Sequence, residues 1–453
     1  MSYLGAVRAG ALAVVFGCVP ALAHAETLKE ALASAYTNNP TIMSALLDVK
    51  STAEGIALAK SGKLPTIGVS ASSGATWTVG DGLPNAGFDV NWGQVSASYN
   101  QTLFDNFQTD AQIEQARALT ELSKYSLRNQ EQNVLLSVVQ AYYSVIRDTQ
   151  LVQLRADNMS FFDAQVSSAD DRLRLGEGTK IDVSQASTRQ AAAVASYQAA
   201  IASLQTSQAS YERWVGHKPR NLTSDYNFGK TLPTSIDSAI SSAEERHPAL
   251  LSARAAIRVA QAGSDAASAA FGPKLNMIGS ICAIGCFGET PGASASVNFQ
   301  LSIPIYAGGA LGASIRRANI DQIKSEVDAL SARDQIRESV ISAWSSLQNS
   351  SAQIESAQSA VSSGQLVVEG TVQERDVGQK TTLDVLNAQA ELTSAREGLI
   401  QARSSRMIAA FALLAASGRL SAEDLRLDVT IHSADGYIAK VEDVWQELRA
   451  LDE

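Results

Sequence analysis

Two long stretches without proline carry apolar residues at the spacing of a helix. In the first, one apolar seam recurs every three, four or seven residues, at Val134, Val138, Ala141, Val145 and Val152. In the second, similar spacing appears at Ile323, Val327, Leu330, Ile336, Val340 and Trp344. Because no proline interrupts either stretch, the pattern predicts two helices, over about residues 107–175 and about residues 311–377. At about 1.5 Å per residue, each helix spans on the order of 100 Å.

Before each helix the period of the pattern changes to two. The stretch TIGVSAS (66–72) alternates apolar residues with glycine and serine, and SVNFQLSI (296–303) alternates apolar residues with asparagine, glutamine and serine. This alternation predicts two β-hairpins, at about residues 66–103 and about residues 274–304. The apolar face meets either a protein core or lipid, and the polar face meets either bulk water or a lumen. The pattern alone does not choose between these two environments.

Two hairpins supply four strands, which is too few for a barrel, since about eight strands are the practical minimum. An open sheet edge is not tolerated in lipid. If the hairpins span a membrane, several copies must therefore share one barrel, and three copies would supply twelve strands.

The chain is a tandem duplication. Pro40 and Pro65 recur as Pro248 and Pro273, both 208 residues later. Farther along, the two repeats align with an offset of 202 residues, which pairs Phe104 with Tyr306, Gly176 with Gly378, Asp182 with Asp384, and Gly216 with Gly418. The two helix-ending glycines, Gly176 and Gly378, predict tight turns into return helices that begin near Ile181 and Leu383.

The resulting organisation has five parts. A signal peptide covers residues 1–25, because an apolar run is followed by Ala23-His24-Ala25 as a small-x-small cleavage site. The first repeat is 26–216, with its helical hairpin at about 107–216, and 217–234 form a bridge. The second repeat is 235–418, with its helical hairpin at about 311–417, and 419–453 form an acidic tail.

Charge and candidate chemistry narrow the function. The net charge of −10 and the absence of a basic block argue against a nucleic-acid partner. Cys282 and Cys286 either close a small disulfide loop or remain free thiols. The mature histidines lie far apart, without metal-ligand spacing, and the sequence contains no nucleophile elbow, zinc-helix motif or phosphate loop. We therefore expect no catalytic residue, metal site or cofactor.

The ordered motifs resemble the TolC-like outer-membrane channel family, particularly its type I secretion branch. The resemblance rests on TLKEALASAYTNNPTI (27–42), LFDN (103–106), IYAGG (305–309) and, above all, VGQKTTLDVLNAQAELTSAR (377–396). It implies a mainly α-helical fold with a membrane β-barrel. In this arrangement, a homotrimer forms a twelve-stranded barrel in outer-membrane lipid and a long helical barrel across the periplasm. It also implies an exit duct that works with a periplasmic adaptor and an inner-membrane ABC or RND transporter.

The resemblance also assigns a periplasmic gate. It places Lys380 as the basic gate residue and Asp182 as the acid it meets, while Asp384 and Asn387 narrow the entrance and Arg375 stands where the gate is locked. Asn387 and Arg375 depart from the family pattern, which has an acid and often a tyrosine there. The adaptor is expected to dock at the tip turns, at Gly176, Thr179, Gly378 and Thr381.

Two other functions fit parts of the sequence. The outer component of a multidrug efflux pump of the RND type would have the same fold. A periplasmic structural coiled-coil protein would explain the helices and the signal peptide, but not two alternating hairpins at equivalent places in the repeats.

Overall fold

The helices and strands follow a duplicated order. The structure is a computed structural model that describes residues 25–78, 87–229, 231–286 and 292–442, with the backbone alone at 75–78, 87–93 and 284–286. The first repeat comprises α1 (Leu28–Asn38), α2 (Pro40–Lys60), β1 (Thr66–Thr78), β2 (Gly87–Phe104), α3 (Gln108–Leu175) and α4 (Lys180–Val215). The second comprises α5 (Ile236–Arg246), α6 (Pro248–Ala269), β3 (Lys274–Cys286), β4 (Gly292–Ser302), α7 (Ala310–Asp376) and α8 (Thr382–Ala416), and a short α9 (Asp435–Glu442) follows.

This order of short helices, hairpin and long helix, present twice, confirms the predicted fold class. The predicted signal peptide, apart from Ala25, and the acidic tail beyond Glu442 lie outside the described residues. The limits of the two repeats as domains stay a prediction.

The repeated prolines sit at equivalent helix boundaries. Pro40 and Pro248 are the first residues of α2 and α6, where a missing backbone N–H costs nothing. The residue before each proline caps the helix: Asn39 Oδ1 accepts a hydrogen bond from the Thr41 N–H at 2.9 Å, and His247 Nδ1 accepts one from the Ala249 N–H at 3.2 Å. Burial lowers the pKa of His247, which favours the neutral ring that this acceptor role requires.

The two hairpins form one antiparallel sheet in the order β1-β2-β3-β4. Serine hydroxyls pair across its polar face, with Ser70 and Ser96 2.8 Å apart and Ser280 and Ser296 2.9 Å apart. The opposite face exposes large apolar side chains, among them Ile67, Val69, Ile281, Val297, Phe299 and Leu301. Within the described residues, β1 and β4 each have one edge without a partner strand.

Cys282 belongs to the polar face of this sheet. Its residue pairs with Ser96, and the Gln94 side-chain amide donates a hydrogen bond to its Sγ at 3.0 Å. It is a free cysteine. Cys286 stands four residues farther along the same extended strand, so their Cα atoms are about 13 Å apart, beyond the roughly 7 Å limit for a disulfide. Of the two alternatives for Cys282 and Cys286, this strand is incompatible with the small disulfide loop.

The helices continue the order of the sheet. Close to the sheet they lie in the order α2-α3-α6-α7, and at the far end α4 packs on α3, α3 on α8, and α8 on α7. Because α2 leads into β1 and α7 follows β4, the outer helices of this layer stand at the same two sides as the open strand edges. The described residues therefore form one continuous wall of strands and helices, open on both sides.

The main core lies where α1, α2 and the ends of α4 and α8 meet the middle of α3. Its largest fully buried side chains include Tyr36, Tyr142, Tyr211 and Phe411. The bridge packs onto this core through Tyr226 and Phe228, whose rings lie 4.9 and 5.0 Å from the ring of Phe411. Full burial of one such side chain typically contributes about 1.5–3 kcal/mol, so the core holds bridge and helices together at this level.

The described part of the tail closes over the same region. Leu420 and Leu425 are buried in the core, and α9 lies on α2 and α3. Tyr437 donates a hydrogen bond to Glu54 at 2.6 Å, and Lys124 forms an ion pair with Asp435. The bridge and the described part of the tail therefore both contact the core.

Helix α8 contains one stretch that is long and apolar enough to cross a membrane by length and composition. Half of that stretch is buried inside the chain. Since α8 packs on α7 and α3, its apolar character is explained by helix packing.

Candidate functional site

The first helix-to-helix turn lies at the end of α3, away from the sheet. Gly176 adopts φ +80°, a left-handed conformation that glycine takes without strain. The N–H groups of Glu177 and Gly178 donate to the Arg172 carbonyl at 2.9 and 3.1 Å, which satisfies a helix-end acceptor. A tight, fully bonded turn therefore connects α3 to α4.

The second turn repeats these hydrogen bonds 202 residues later. Gly378 has φ +79°, and the N–H groups of Gln379 and Lys380 donate to the Glu374 carbonyl at 2.8 and 3.3 Å. Each acceptor and donor in this turn corresponds by position to one in the first. The duplicated sequence thus builds the same turn twice at the tip.

A capping box starts each return helix. The Thr179 N–H and hydroxyl donate to Asp182 Oδ2 at 2.9 and 2.7 Å, and the Asp182 N–H returns a hydrogen bond to Thr179 Oγ1 at 3.2 Å. Thr381 and Asp384 make the same set at 2.8, 2.7 and 3.3 Å. This reciprocal bonding gives a local physical reason for the repeated Thr-x-x-Asp pattern.

These caps change the picture of the predicted gate acids. Among the described residues, both carboxylates accept hydrogen bonds from their own cap and none from a neighbouring helix. Hydrogen bonds from the Thr381 backbone and hydroxyl, together with the nearby charge of Lys380, hold the pKa of the Asp384 carboxyl below its ordinary value. Among the described residues of this single chain, Lys380 forms no ion pair with Asp182.

Arg375 joins the second hairpin to the first. Its side chain is only 11% exposed, and its Nη2 lies 2.8 Å from Asp376 Oδ1. Its Nη1 donates to Gln165 Oε1 on α3 at 2.8 Å. The residue that replaces the expected tyrosine therefore makes a polar contact between α7 and α3, close to the tip.

Asn387 makes a second contact between the hairpins. Its Oδ1 accepts a hydrogen bond from Arg189 Nη2 on α4 at 3.1 Å. An aspartate at this position would be charged, whereas the asparagine provides a neutral acceptor for the arginine. Sequence reasoning did not identify Arg189, since nothing in α4 indicates which of its polar residues faces α8.

Farther from the tip, a polar layer joins α3 to α8. Buried Asn158 accepts hydrogen bonds through Oδ1 from Thr393 at 2.9 Å and from Gln389 at 3.4 Å. Arg155 and Glu397 form a half-buried ion pair at 2.5 Å. Burial raises the pKa of the Glu397 carboxyl, although Arg155 opposes this shift.

Apolar contacts near the tip lie mainly within each helical hairpin. Phe162 and Ala169 of α3 form a buried cluster with α4, to which Leu386 of α8 adds one side chain. Val368 of α7 and Leu392 of α8 belong to another. Near the tip, each hairpin therefore has an apolar cluster of its own, and apart from Leu386 the contacts between the hairpins there are polar.

The described residues contain no group of three or more His, Cys, Asp or Glu side chains placed to hold a metal ion. The tip instead presents backbone turns, charged side chains and exposed apolar residues such as Ile181 and Leu383.

Comparisons with known proteins agree with this architecture. A family model described as outer membrane efflux protein matches residues 31–217 and 239–419. The outer membrane efflux protein BepC of Brucella suis biovar 1 (strain 1330) is 35% identical over 435 residues, covering 95% of this chain and 93% of that protein. The outer membrane protein TolC of Escherichia coli (strain K12) is 24% identical over 429 residues, covering 89% and 84%.

A solved structure of CusC, reported for its folding and transmembrane channel formation, superposes with a TM-score of 0.75. The match covers 86% of this chain and 92% of that one at 18% identity. At this identity the likeness shows the fold alone.

Proposed function

The chain belongs to the outer membrane efflux protein family, and on that premise we propose that three copies of it close into one exit duct. The protein is an outer-membrane channel that extends into the periplasm and serves a tripartite export system. Each copy would supply the four strands of its sheet and its wall of helices. The assembled duct would then have a twelve-stranded barrel above a long helical barrel.

The two open sides of the chain carry this proposal. The free edges of β1 and β4 present unpaired backbone groups, which lipid does not tolerate. Pairing the β4 edge of one copy with the β1 edge of the next satisfies both edges. Such a contact joins two different surfaces, so it can repeat around an axis, and a rotation that brings the last copy back to the first gives a ring with no free edge.

The outer helices supply matching apolar surfaces at the same sides. An exposed stripe on α7 follows helical spacing, at Ile320, Ile323, Val327 and Leu330. On the opposite side of the chain, α2 exposes Leu47 and Leu58. Since a stripe of large apolar side chains on a water-facing helix is unfavourable, both surfaces favour contact between neighbouring copies.

The number of strands favours three copies. Two copies would give eight strands, a barrel whose interior is filled by its own side chains. A duct needs an open lumen, and twelve is the next multiple of four. The serine-rich face of the sheet would line that lumen, while Val69, Phe299 and their apolar neighbours would face lipid.

At the periplasmic tip, we assign a gate to the polar contacts between the two hairpins. Arg375 with Gln165, and Arg189 with Asn387, hold the hairpin of α7 and α8 against that of α3 and α4. A typical neutral hydrogen bond contributes about 0.5–1.5 kcal/mol net, and one to a charged group about 1.5–3 kcal/mol. Contacts of this size can be exchanged for contacts with a binding partner, which allows one hairpin to move while its own apolar core stays intact.

The remaining predicted gate residues fit between neighbouring copies. Lys380 has no ion-pair partner among the described residues of its own chain, so an acid of the adjacent copy is its expected partner in the closed ring. Asp384 and Asn387 would narrow the entrance, and Asp182 would contribute negative charge from the first turn. The adaptor would dock at the turns formed by 176–179 and 378–381, and an inner-membrane ABC or RND transporter would complete the machine.

Assembly is tested by fractionating a Gram-negative host that expresses the full chain. Outer membranes are washed at alkaline pH, cross-linked and analysed by electrophoresis without heating. A wash-resistant species at three times the mass of the mature chain is expected. A soluble periplasmic monomer, or a ring with another copy number, would exclude the proposed trimeric duct.

The gate is tested by planar-bilayer conductance of purified channels. Arg375→Ser should raise the conductance of the closed channel, because it removes the contact to α3. Arg333→Ser is the matched control, since Arg333 on the same helix also bonds the following aspartate, at 3.2 Å, and forms no hydrogen bond or ion pair with another helix among the described residues. Equal conductance of the two variants would refute the role of Arg375.

A further inference from the structure

The first described charged residue of the chain, Glu26, is buried. It is only 7% exposed, although it is the second of the described residues. Its carboxylate accepts a hydrogen bond from the Tyr211 hydroxyl at 2.5 Å and one from the Arg220 N–H at 3.2 Å. His217 Nε2 lies 3.4 Å from the same carboxylate. Because an unpaired buried carboxylate is costly, these three partners form a built site for this side chain.

The backbone of Glu26 is bound as well. Its N–H donates to the Arg220 carbonyl at 3.1 Å, and its own carbonyl accepts from the Thr223 N–H at 3.2 Å. The Tyr142 hydroxyl donates to the same carbonyl at 2.9 Å. Every polar group of this one residue is therefore held by another part of the chain.

The partners of Glu26 come from three separate elements. Tyr142 lies in the middle of α3, Tyr211 near the end of α4, and Arg220 in the bridge between the repeats. Burial and the neighbouring Glu26 carboxylate raise the pKa of the Tyr211 hydroxyl, so it stays a hydrogen-bond donor throughout the physiological range. Glu26 thus joins the amino-terminal segment to both helices and to the bridge.

The neighbours of Glu26 along the chain are different. Ala25 is exposed, and Thr27 begins the capping box of α1 with Glu30, which is also exposed. Among the described residues, the change from an exposed to a buried side chain therefore falls at the Ala25–Glu26 peptide bond.

We propose that the side chain of Glu26, the first residue after the predicted signal peptide, anchors the amino-terminal segment to the bridge and the helices. Hydrolysis of the Ala25–Glu26 amide consumes one water. The hydroxyl is added to the Ala25 carbonyl carbon, giving a carboxylate once its proton is lost. The Glu26 nitrogen takes a proton and becomes an α-amino group, which at neutral pH is largely protonated and keeps its donor to the Arg220 carbonyl.

Because of this anchor, the stability of the chain should depend on whether cleavage leaves Glu26 in place, and not on how many residues precede it. Extra residues before Glu26 extend from an exposed position and leave the site filled. Removal of Glu26 empties the site and leaves the hydroxyl of Tyr211 and the N–H of Arg220 without an acceptor.

The test uses the full chain with its own signal, purified from outer membranes. Mass spectrometry of the intact protein should give an amino terminus at Glu26. In urea titrations, Glu26→Ala should lower the ratio of folded to unfolded chain by about tenfold or more. An insertion of Gly-Ser between Ala25 and Glu26 should leave that ratio unchanged.

Glu30→Gln is the matched control, because Glu30 is an exposed carboxylate in the same segment whose capping role glutamine can retain. If Glu26→Ala does not accumulate, Glu26→Gln provides the measurement, since it keeps an acceptor but loses the charge beside His217. Glu26→Gln should be less stable than Glu30→Gln. Equal stability of these two variants, another amino terminus, or a damaging effect of the insertion would each overturn the proposal.

Discussion

Val297→Arg tests whether the apolar face of the sheet meets lipid. Val297 is the sixth of the eleven residues of β4 and is 66% exposed in the single chain. If this face lies in the membrane, an arginine there stands close to the middle of the bilayer. The cost of arginine at that depth is about 2–4 kcal/mol, which lowers the equilibrium population of inserted chain by roughly 30- to 900-fold. Because every copy in a ring carries the change, the cost per assembled ring is a multiple of this.

Asn298→Arg provides the control. Asn298 is the next residue of the same strand and points to the opposite, polar face, opposite Ile278 of β3. In a water-filled lumen an added arginine is solvated, so this variant should assemble nearly as well as the unchanged protein. Both variants carry the same charge in the same strand, and only the face differs.

The assay measures the amount of heat-dissociable oligomer in alkaline-washed outer membranes and then the urea midpoint after refolding into phospholipid vesicles. Val297→Arg should show little oligomer and a lower midpoint, whereas Asn298→Arg should show neither change. Normal assembly of Val297→Arg, or a greater loss for Asn298→Arg, would refute the assignment of the two faces.

Three further predictions follow from the described contacts. Gly418→Ala should destabilise the chain by about 1–3 kcal/mol more than Gly216→Ala in urea titrations. Both glycines have positive φ, but a Cβ at Gly418 would lie 2.8 Å from the His247 backbone, whereas a Cβ at Gly216 would meet open space. Equal losses of stability would contradict this prediction. In a Cys286→Ser background, Cys282 should react with a membrane-impermeant maleimide, since its thiol belongs to the polar face of the sheet, and no labelling of intact outer membranes would count against a lumen there. Thr381→Ala removes one of the two hydrogen bonds that the Asp384 carboxylate accepts and should raise the pKa of that carboxyl. As pH falls, the cation conductance of this variant should therefore decline at a higher pH than in the unchanged channel, and an unshifted pH profile would argue against Asp384 in the entrance.

Long-range order in the sequence was enough to predict the long helices, the hairpins and their duplication, whereas the membrane barrel rested on the resemblance to the channel family. Apolar residues recur with a helical period in the two proline-free stretches and with a period of two in the two alternating segments. The constant offset of 202 residues aligns the ends of these segments in the two repeats. The α-helices of 68 and 67 residues, α3 and α7, follow from that pattern. These features are local or repeated, so no knowledge of tertiary contacts was required.

The contacts at the tip were harder to predict from the sequence. The capping boxes could have been found from the sequence, because Thr-x-x-Asp after a glycine turn is a local signal at both sites. Arg189 with Asn387 and Asn158 with Thr393 could not, since they depend on the rotation of one long helix against another. A small change in helix phase, accumulated over many turns, decides which polar residue faces its neighbour.

The resemblance predicted that Lys380 meets Asp182 at the gate, and these two side chains form no ion pair among the described residues of the single chain. Asp182 and Asp384 are held in their own caps, and Arg375 contacts an amide on α3. Contacts between copies lie beyond any pattern within one sequence, because a single chain supplies one side of each of them. The roles of Lys380 and Asp182 therefore remain proposals that bilayer recordings can decide.

The two open sides of the chain also bear on genetics. In the proposed trimer, each ring needs three normal copies. In a cell that makes equal amounts of the normal chain and of a variant with a blocked strand edge, random assembly gives only about one fully normal ring in eight. An allele that blocks the free edge of β1 but leaves β4 intact would still enter rings and spoil them, so it would be dominant. An allele that prevents folding altogether would leave the normal copies to assemble among themselves, and it would be recessive.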